Sequence, residues 1–413
     1  MFSQQHGIVF VGAGQAAVSG AVKLRSIGYT GAITIIGDEA ALPYRRPPLS
    51  KQYLLGEVGM DQIVLRSEKF YQDHDITCIR GNAVTAIDRT RKRVQLGDGW
   101  LPYAQLALTT GARPRLLPAL AGGQRPGIHT IRTVSDVDDI QPLFKPGARL
   151  LIVGGGFIGL EAASVARRLG VDVLIVESGE RILQRAVGPL TSTVIREMHI
   201  ANGVTLRENV QLISLKNTGG SKRAELSDGT SVDVDFIIIG IGSQPNTDLA
   251  EKAGIPCQNG IIVDEFGRTC DPSIWAAGDC ATFPWQGQLI RIESVGNAVD
   301  HGECVAINMA GGTVPYEPKP WFWSDQFDSK LQIAGVRNVT DRVVRRNGNG
   351  NAMSFWYYNS DTLTCVEAFN DARSYMIAKR LLDSGKTIPS HLAADHHMDL
   401  KTLLTMARPA IQS

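Results

Sequence analysis

Two short glycine runs carry the most legible chemistry: Gly12-Ala-Gly14-Gln-Ala-Ala17 and Gly154-Gly-Gly156-Phe-Ile-Gly159. Glycines at this spacing permit a tight turn, let the backbone approach a pyrophosphate, and let a helix pack closely on a strand, with the diphosphate at the helix N-terminus. The second run is a GxGxxG match and the first its GxGxxA variant, so two dinucleotides are expected in one chain. Glu177 stands 23 residues after Gly154, where a carboxylate accepts from a ribose 2′-hydroxyl and repels a 2′-phosphate. That favours NADH over NADPH, although Arg181 close by has the chemistry to receive a phosphate. In the first half Asp38 or Glu39 is placed to reach the other ribose, with Glu39 preferred.

The elements that must position these residues repeat. Ile8–Val11, the glycine turn, an amphipathic run through Leu24 and the apolar Ile33–Ile36 read as strand, turn, helix, strand. The same grammar returns as Leu150–Val153, a helix through Leu169, and Val173–Val176. Each half then continues into short alternating strands, with hairpin turns predicted at Asp98-Gly99 and Asp228-Gly229, and closes on a buried strand and a Gly/Pro turn. An internal duplication accounts for both halves.

Further on come Ile274-Trp-Ala-Ala-Gly-Asp279 and a helix predicted over Asn297–Met309. From about Pro318 the texture changes to short aromatic-rich strands, near Trp321–Trp323, Leu331–Val336, Arg342–Arg345, Met353–Tyr358 and Leu363–Ala368. Helices are predicted near Asp371–Leu382 and Asp399–Met406, which makes this a separate α+β domain. The expected boundaries are 1–113 with 245–318 for the first nucleotide domain, 114–244 for the second, and 319–413 for the last.

Composition removes several alternatives. Across 413 residues, 42 Lys and Arg against 41 Asp and Glu leave a net charge of +1, so no global field points to nucleic acid or an anionic membrane. The basic stretch Arg89 to Arg93 reads as a hairpin surface. The six cysteines, Cys78, Cys257, Cys270, Cys280, Cys304 and Cys365, form no CxxC and no zinc-ligand spacing. His396-His397 has no acidic or cysteine companions, so no metal is expected. The chain enters an apolar strand within ten residues, without a signal-peptide pattern, and no apolar run reaches the ~18 residues of a spanning helix. A soluble, cytoplasmic protein is the expectation.

The order GxGxxA, Pro43-Tyr-Arg-Arg-Pro-Pro-Leu-Ser-Lys51, Thr110-Gly111-Ala112, Gly154-x-Gly156-x-x-Gly159-x-Glu161 and Ala277-Gly278-Asp279 resembles the FAD-dependent pyridine nucleotide oxidoreductases. Within them, RPPLSK, IESVGNA (Ile292–Ala298) and WFWSDQ (Trp321–Gln326) look like the ferredoxin reductases of bacterial oxygenase and cytochrome P450 systems. The resemblance covers nearly the whole chain. It implies an α/β fold of glutathione-reductase type, with two Rossmann-like dinucleotide-binding domains plus the α+β C-terminal domain.

It also implies which residues meet each cofactor. For FAD these are Gly12, Gly14, Ala17, Asp38, Glu39, Arg46, Lys51, Thr110, Gly111, Arg113, Asp279, Ser294, Val295 and Trp323; for NADH they are Gly154, Gly156, Phe157, Ile158, Gly159, Glu161, Glu177 and Gly242. Asp279 would hydrogen-bond the ribityl chain, and the helix start at Ser294 and Val295 would face the flavin's N1–C2 carbonyl edge, where a helix N-terminus favours negative charge. Lys51 would sit near N5 and pair with Glu161, since either charge buried alone would cost several kcal/mol, on the order of a desolvated ion. Phe157 covers the flavin or simply packs.

The acceptor follows from what is missing. Relatives that reduce disulfides or peroxide carry cysteine near the stretch Arg45–Lys51, and here there is none. A flavin takes a hydride and releases electrons singly, so a one-electron protein acceptor is expected; the resemblance implies that it is a [2Fe–2S] ferredoxin, bound transiently and electrostatically, serving an oxygenase or cytochrome P450. Arg291, Lys319 and Lys330 are the candidate docking cations, and Trp321 and Trp323 either line the electron exit or only pack. A monomer is expected. The alternatives are an NADH-dependent reductase of rubredoxin, a quinone or monodehydroascorbate, and a redox-signalling protein resembling apoptosis-inducing factor.

Overall fold

Short, β-branched, apolar segments form the strands, and their burial on both faces explains why they pair in parallel. The computed structural model describes residues 6–117, 127–218 and 221–410. The chain divides into two units, Met1–Arg45 with Gly59–Arg113 and Ser243–Pro320, and Arg46–Val58 with Pro114–Gly242 and Trp321–Ser413.

In the first unit a five-stranded parallel sheet runs in the order Ile274–Ala276, Gln105–Leu108, Ile8–Val11, Ile33–Ile36, Ile76–Ile79. The helix Gln15–Ser26 follows the first glycine loop, and its small residues let it lie close to the helix Val295–Met309. A Cβ at Gly20 would meet the Gly302 carbonyl at 3.0 Å and the Phe10 ring at 2.8 Å. The helix Val295–Met309 begins two residues before the predicted Asn297, because Ser294 Oγ accepts from the Asn297 N–H at 3.1 Å and caps it. A second small sheet holds Val84–Asp88, Arg93–Leu96 and Gly99–Pro102. Its predicted Asp98-Gly99 turn is instead Gly97-Asp98: Gly97 takes φ +57°, and Gly99 already pairs with Leu96.

In the second unit another five-stranded parallel sheet has the order Thr205–Glu208, Asp172–Glu177, Arg149–Val153, Phe236–Ile239, Ile128–His129. Strand for strand this is the first sheet's arrangement, apart from which part of the chain supplies the strand beside Phe236–Ile239. The hairpin strands Leu212–Thr218, Ser221–Leu226 and Ser231–Val234 repeat the small sheet. The same unit holds the antiparallel sheet Trp321–Gln326, Ser329–Gly335, Thr362–Phe369, Met353–Asn359, Arg342–Asn347, covered by the helix Ala372–Asp383. Trp356, Val366 and Ala378 are fully buried in its core. Among the described residues no helix is long and apolar enough to cross a membrane.

Candidate functional site

Most candidates of the first unit's nucleotide site stand at the carboxyl edge of the parallel sheet, the side on which open α/β sheets bind ligands. Gly12 follows Ile8–Val11, Asp38 and Glu39 follow Ile33–Ile36, Thr110 and Gly111 follow Gln105–Leu108, and Asp279 follows Ile274–Ala276. Gly12 has φ +105°, and a Cβ there would collide with the Thr109 carbonyl. At Gly14 an added Cβ would meet nothing within 4 Å, and no side chain caps the helix Gln15–Ser26. Open space therefore faces uncapped N–H donors, as a pyrophosphate requires. Ala17 is fully buried, filling the third glycine's place in the packing.

Around this loop Tyr44 Oη donates to Glu39 Oε2. Thr110 Oγ1 donates to the Asn246 carbonyl at 2.7 Å, and Asn246 Nδ2 returns a bond to the Thr110 carbonyl at 2.8 Å. Asp279 is half-buried, and its carbonyl accepts from Arg291 Nη1 at 3.0 Å. The Arg113 guanidinium donates to Asp248 Oδ2 at 2.6 Å and to Asn246 Oδ1 at 2.9 Å.

The second unit reproduces the loop. Gly154 has φ +106° beside +105° at Gly12, and the helix Phe157–Arg168 starts on Gly156 with no side-chain cap. A Cβ at Gly159 would stand 2.6 Å from the Gly154 carbonyl, so only glycine allows this helix so near its strand. Glu177 splints the loop: Oε2 accepts from the Gly155 N–H and Oε1 from the Gly179 N–H, each at 2.7 Å. Arg181 donates to the Gln184 carbonyl at 3.1 Å, and burial together with Arg337 pulls its pKa down. Gly242 has φ +106° at the end of the next strand, beside Arg185 and Arg115. Ile158 is 45% exposed at the mouth of the loop. Phe157 packs on Phe322 with ring centroids 4.4 Å apart, which gives the packing reading its partner.

Also in the second unit lies a buried charge pair. Lys51 Nζ stands 2.6 Å from Glu161 Oε2, with side chains 12% and 4% exposed. Ser50 Oγ donates to the same carboxylate, and Ser324 Oγ donates to Glu161 Oε1 at 2.6 Å. Arg46 Nη1 donates to the Arg132 carbonyl.

Both loops fit dinucleotides, and comparison with known proteins agrees. Residues 6–302 match the model of the pyridine nucleotide-disulphide oxidoreductases, and residues 321–404 the reductase C-terminal domain. The chain belongs to the pyridine nucleotide-disulphide oxidoreductase family. It is similar to rhodocoxin reductase of Rhodococcus erythropolis, 39% identical over 97% of this chain and 94% of the relative. Among solved structures it resembles the ferredoxin reductase for the CYP199A2 system from Rhodopseudomonas palustris, with TM-score 0.92, 36% identity, and 96% and 99% of the two chains covered. It also resembles the covalent putidaredoxin reductase–putidaredoxin complex, with TM-score 0.93, 34% identity, and 97% and 98% covered.

As a member of this family the chain is an oxidoreductase whose cofactors are FAD and NAD(P)H. The docking cations fare unequally. Lys319 is exposed, and Lys330 is exposed but 3.3 Å from Asp325. Arg291 has a side chain 9% exposed, paired with Glu293 Oε1 at 2.5 Å and donating to the Asp279 carbonyl at 3.0 Å. Trp321 and Trp323 are half-buried and stack with centroids 5.5 Å apart. Sequence reasoning missed Ser50, Ser324, Gln326 and His199 as neighbours of the Lys51–Glu161 pair. The signal was present in WFWSDQ, where alternation along a strand sends Ser324 and Gln326 to the face opposite the tryptophans.

Proposed function

We propose that the chain is an NADH-dependent ferredoxin reductase: NADH passes a hydride to bound FAD, and the two electrons leave one at a time to two molecules of a [2Fe–2S] ferredoxin that serves an oxygenase or cytochrome P450. NADH and two oxidised ferredoxins give NAD⁺, a proton and two reduced ferredoxins. FAD is assigned to residues 1–113 and 245–318, NADH to 114–244, and the last domain to 319–413. Gly12, Gly14, Ala17, Glu39, Thr110, Gly111, Asp279 and the helix start at Ser294 and Val295 hold FAD. Gly154, Gly156, Gly159, Glu177 and Gly242 hold NADH.

The observation that carries the reading is a buried Lys51–Glu161 pair in a chain with no cysteine between Arg45 and Lys51, where the resemblance puts one in disulfide-reducing relatives. Lys51 and Glu161 serve flavin reduction, and single-electron release to a protein is then the available exit. NADH is favoured because Glu177 stands at the strand end after the glycine loop, where a carboxylate would accept from a ribose hydroxyl, and Arg181 is engaged by the Gln184 carbonyl. All six cysteines are thiols, in keeping with a cytoplasmic location. Lys319 and Lys330 are the exposed docking candidates.

The test is NADH-driven cytochrome c reduction by the holoenzyme with and without an added [2Fe–2S] ferredoxin. Strong dependence on the ferredoxin is expected. Equal rates without it, or electron delivery only to a quinone or rubredoxin, would reject the acceptor.

A further inference from the structure

The helix Phe157–Arg168 and the strand Trp321–Gln326 meet along a regular stripe within the second unit. Positions 157, 161 and 164 recur at the spacing of one helical face, and each finds a partner from the strand or the turn after it. Phe157 packs on Phe322, Glu161 Oε1 accepts from Ser324 Oγ, and Ser164 Oγ accepts from the Phe327 N–H at 2.5 Å. Trp321 and Trp323 point to the other face of the same strand, as alternation requires.

Behind Ser324 the hydrogen bonds continue. Gln326 Nε2 donates to Ser324 Oγ at 3.0 Å, and Gln326 Oε1 lies 2.8 Å from His199 Nε2. An amide oxygen can only accept, so His199 carries its proton on Nε2. Nδ1 is then a bare acceptor, and it has no partner among the described residues. Burial holds the imidazole pKa down at about 4, so the ring is neutral near pH 7. Every bond therefore runs one way: His199 to Gln326, Gln326 to Ser324, Ser324 to Glu161. Ser324, Gln326 and His199 are 0%, 3% and 0% exposed, so water does not compete for these groups. With Ser324 holding Oε1, Oε2 is left to Lys51 and Ser50.

We propose that Ser324, Gln326 and His199 are positioning residues that fix the Glu161 carboxylate, and through it the Lys51 ammonium, so that the strand Trp321–Gln326 completes the machinery of flavin reduction. This rests on the assignment of Lys51 and Glu161 to that step. The donors matter because a carboxylate held at one oxygen cannot rotate away from its cation, and an ammonium on a flexible stem is only as well placed as its partner.

The experiment is anaerobic stopped-flow reduction of the FAD-loaded enzyme by NADH, which separates the limiting rate from the apparent Kd, together with the visible spectrum of the oxidised flavin. Lys51→Met is the reference. Ser324→Ala, which removes a hydrogen bond to a charged group, should lower the limiting rate roughly ten- to a hundredfold, and His199→Leu, which removes a neutral one, roughly two- to tenfold, with little change in apparent Kd in either. Both should displace the flavin band in the direction Lys51→Met displaces it. Added to Lys51→Met, neither should slow the reaction further, because residues acting through one group are not additive. His199→Gln, whose amide N–H can replace the ring N–H, should recover most of the rate.

Wild-type rates and spectra in Ser324→Ala and His199→Leu, with Lys51→Met slow, would overturn the relay and leave the role of Lys51 intact. Full additivity with Lys51→Met would overturn it too. If Lys51→Met itself reduces at the wild-type rate, the assignment of Lys51 fails first and the relay with it. Should the His199 variants not accumulate, Ser324→Ala decides alone, since it removes a single buried hydroxyl.

Discussion

Mild acid should loosen the first unit through His301. This side chain is fully buried on the helix Val295–Met309, stacked on Tyr316 at 4.4 Å and edge-on to Phe283 at 5.0 Å. Neither ring nitrogen has a hydrogen-bond partner among the described residues, and burial alone pushes its pKa from 6.5 down to about 3. Below pH 6.5 the unfolded chain takes up a proton that the native state refuses. Stability therefore rises with pH across this window and is lost as pH falls from 6.5 towards 3. At pH 5 the loss from His301 amounts to about 2 kcal/mol, at about 1.4 kcal/mol per pH unit. His199, lowered to about 4, adds a similar loss in the second unit.

His301→Leu removes the titration while keeping an apolar side chain of comparable size. The measurement is urea unfolding of the holoenzyme at pH 7.5 and pH 5, followed by the rise in flavin fluorescence as FAD is released. The same helix starts at Ser294, one of the proposed flavin contacts, so flavin release reports the relevant unit. The wild type should lose about 2 kcal/mol more than the variant between the two pH values. Equal losses in the two proteins would refute the reasoning, whatever their stability at pH 7.5.

Other outcomes follow from the same geometry. Glu177→Ala removes the acceptor for the Gly155 and Gly179 N–H groups, so the KM for NADH should rise about tenfold, the effect of one or two lost charged hydrogen bonds, with kcat changed much less; steady-state kinetics with NADH and NADPH read both values. Gly12→Ala places a Cβ against the Thr109 carbonyl at φ +105°, and purified protein should carry little FAD; a flavin-to-protein ratio equal to wild type would exclude this loop as the FAD site. Ferredoxin-dependent cytochrome c reduction should fall steeply with added salt while ferricyanide reduction stays flat, if docking is by exposed charge such as Lys319. A flat salt response of both would count against that docking mode.

Much of this protein is written locally. The glycine loops, the strands that precede them and the carboxylate at Glu177 depend on residues close in the chain: Gly12 and Gly154 must adopt positive φ where they stand, and Gly159 must lack a Cβ wherever a helix follows so tight a turn. The repetition of that grammar was enough to read two nucleotide sites. Small errors came where neighbouring signals compete. Gly97-Asp98-Gly99 offers two glycines for one turn, and Ser294 captures the helix start ahead of Asn297.

What the chain alone could not decide is which distant side chains share a buried space. Ser50 and Glu161 are 111 positions apart, and Ser324 and Glu161 are 163 apart. Nothing local distinguishes Arg291, committed to Glu293 and a backbone carbonyl, from Lys319, left in solvent. A charge or hydroxyl acquires its role only from the partners that packing brings to it, because desolvation makes each buried polar group depend on them. The sequence itself determined that two dinucleotides bind. Tertiary structure decided how the Lys51 ammonium is held, by Glu161 from far along the chain.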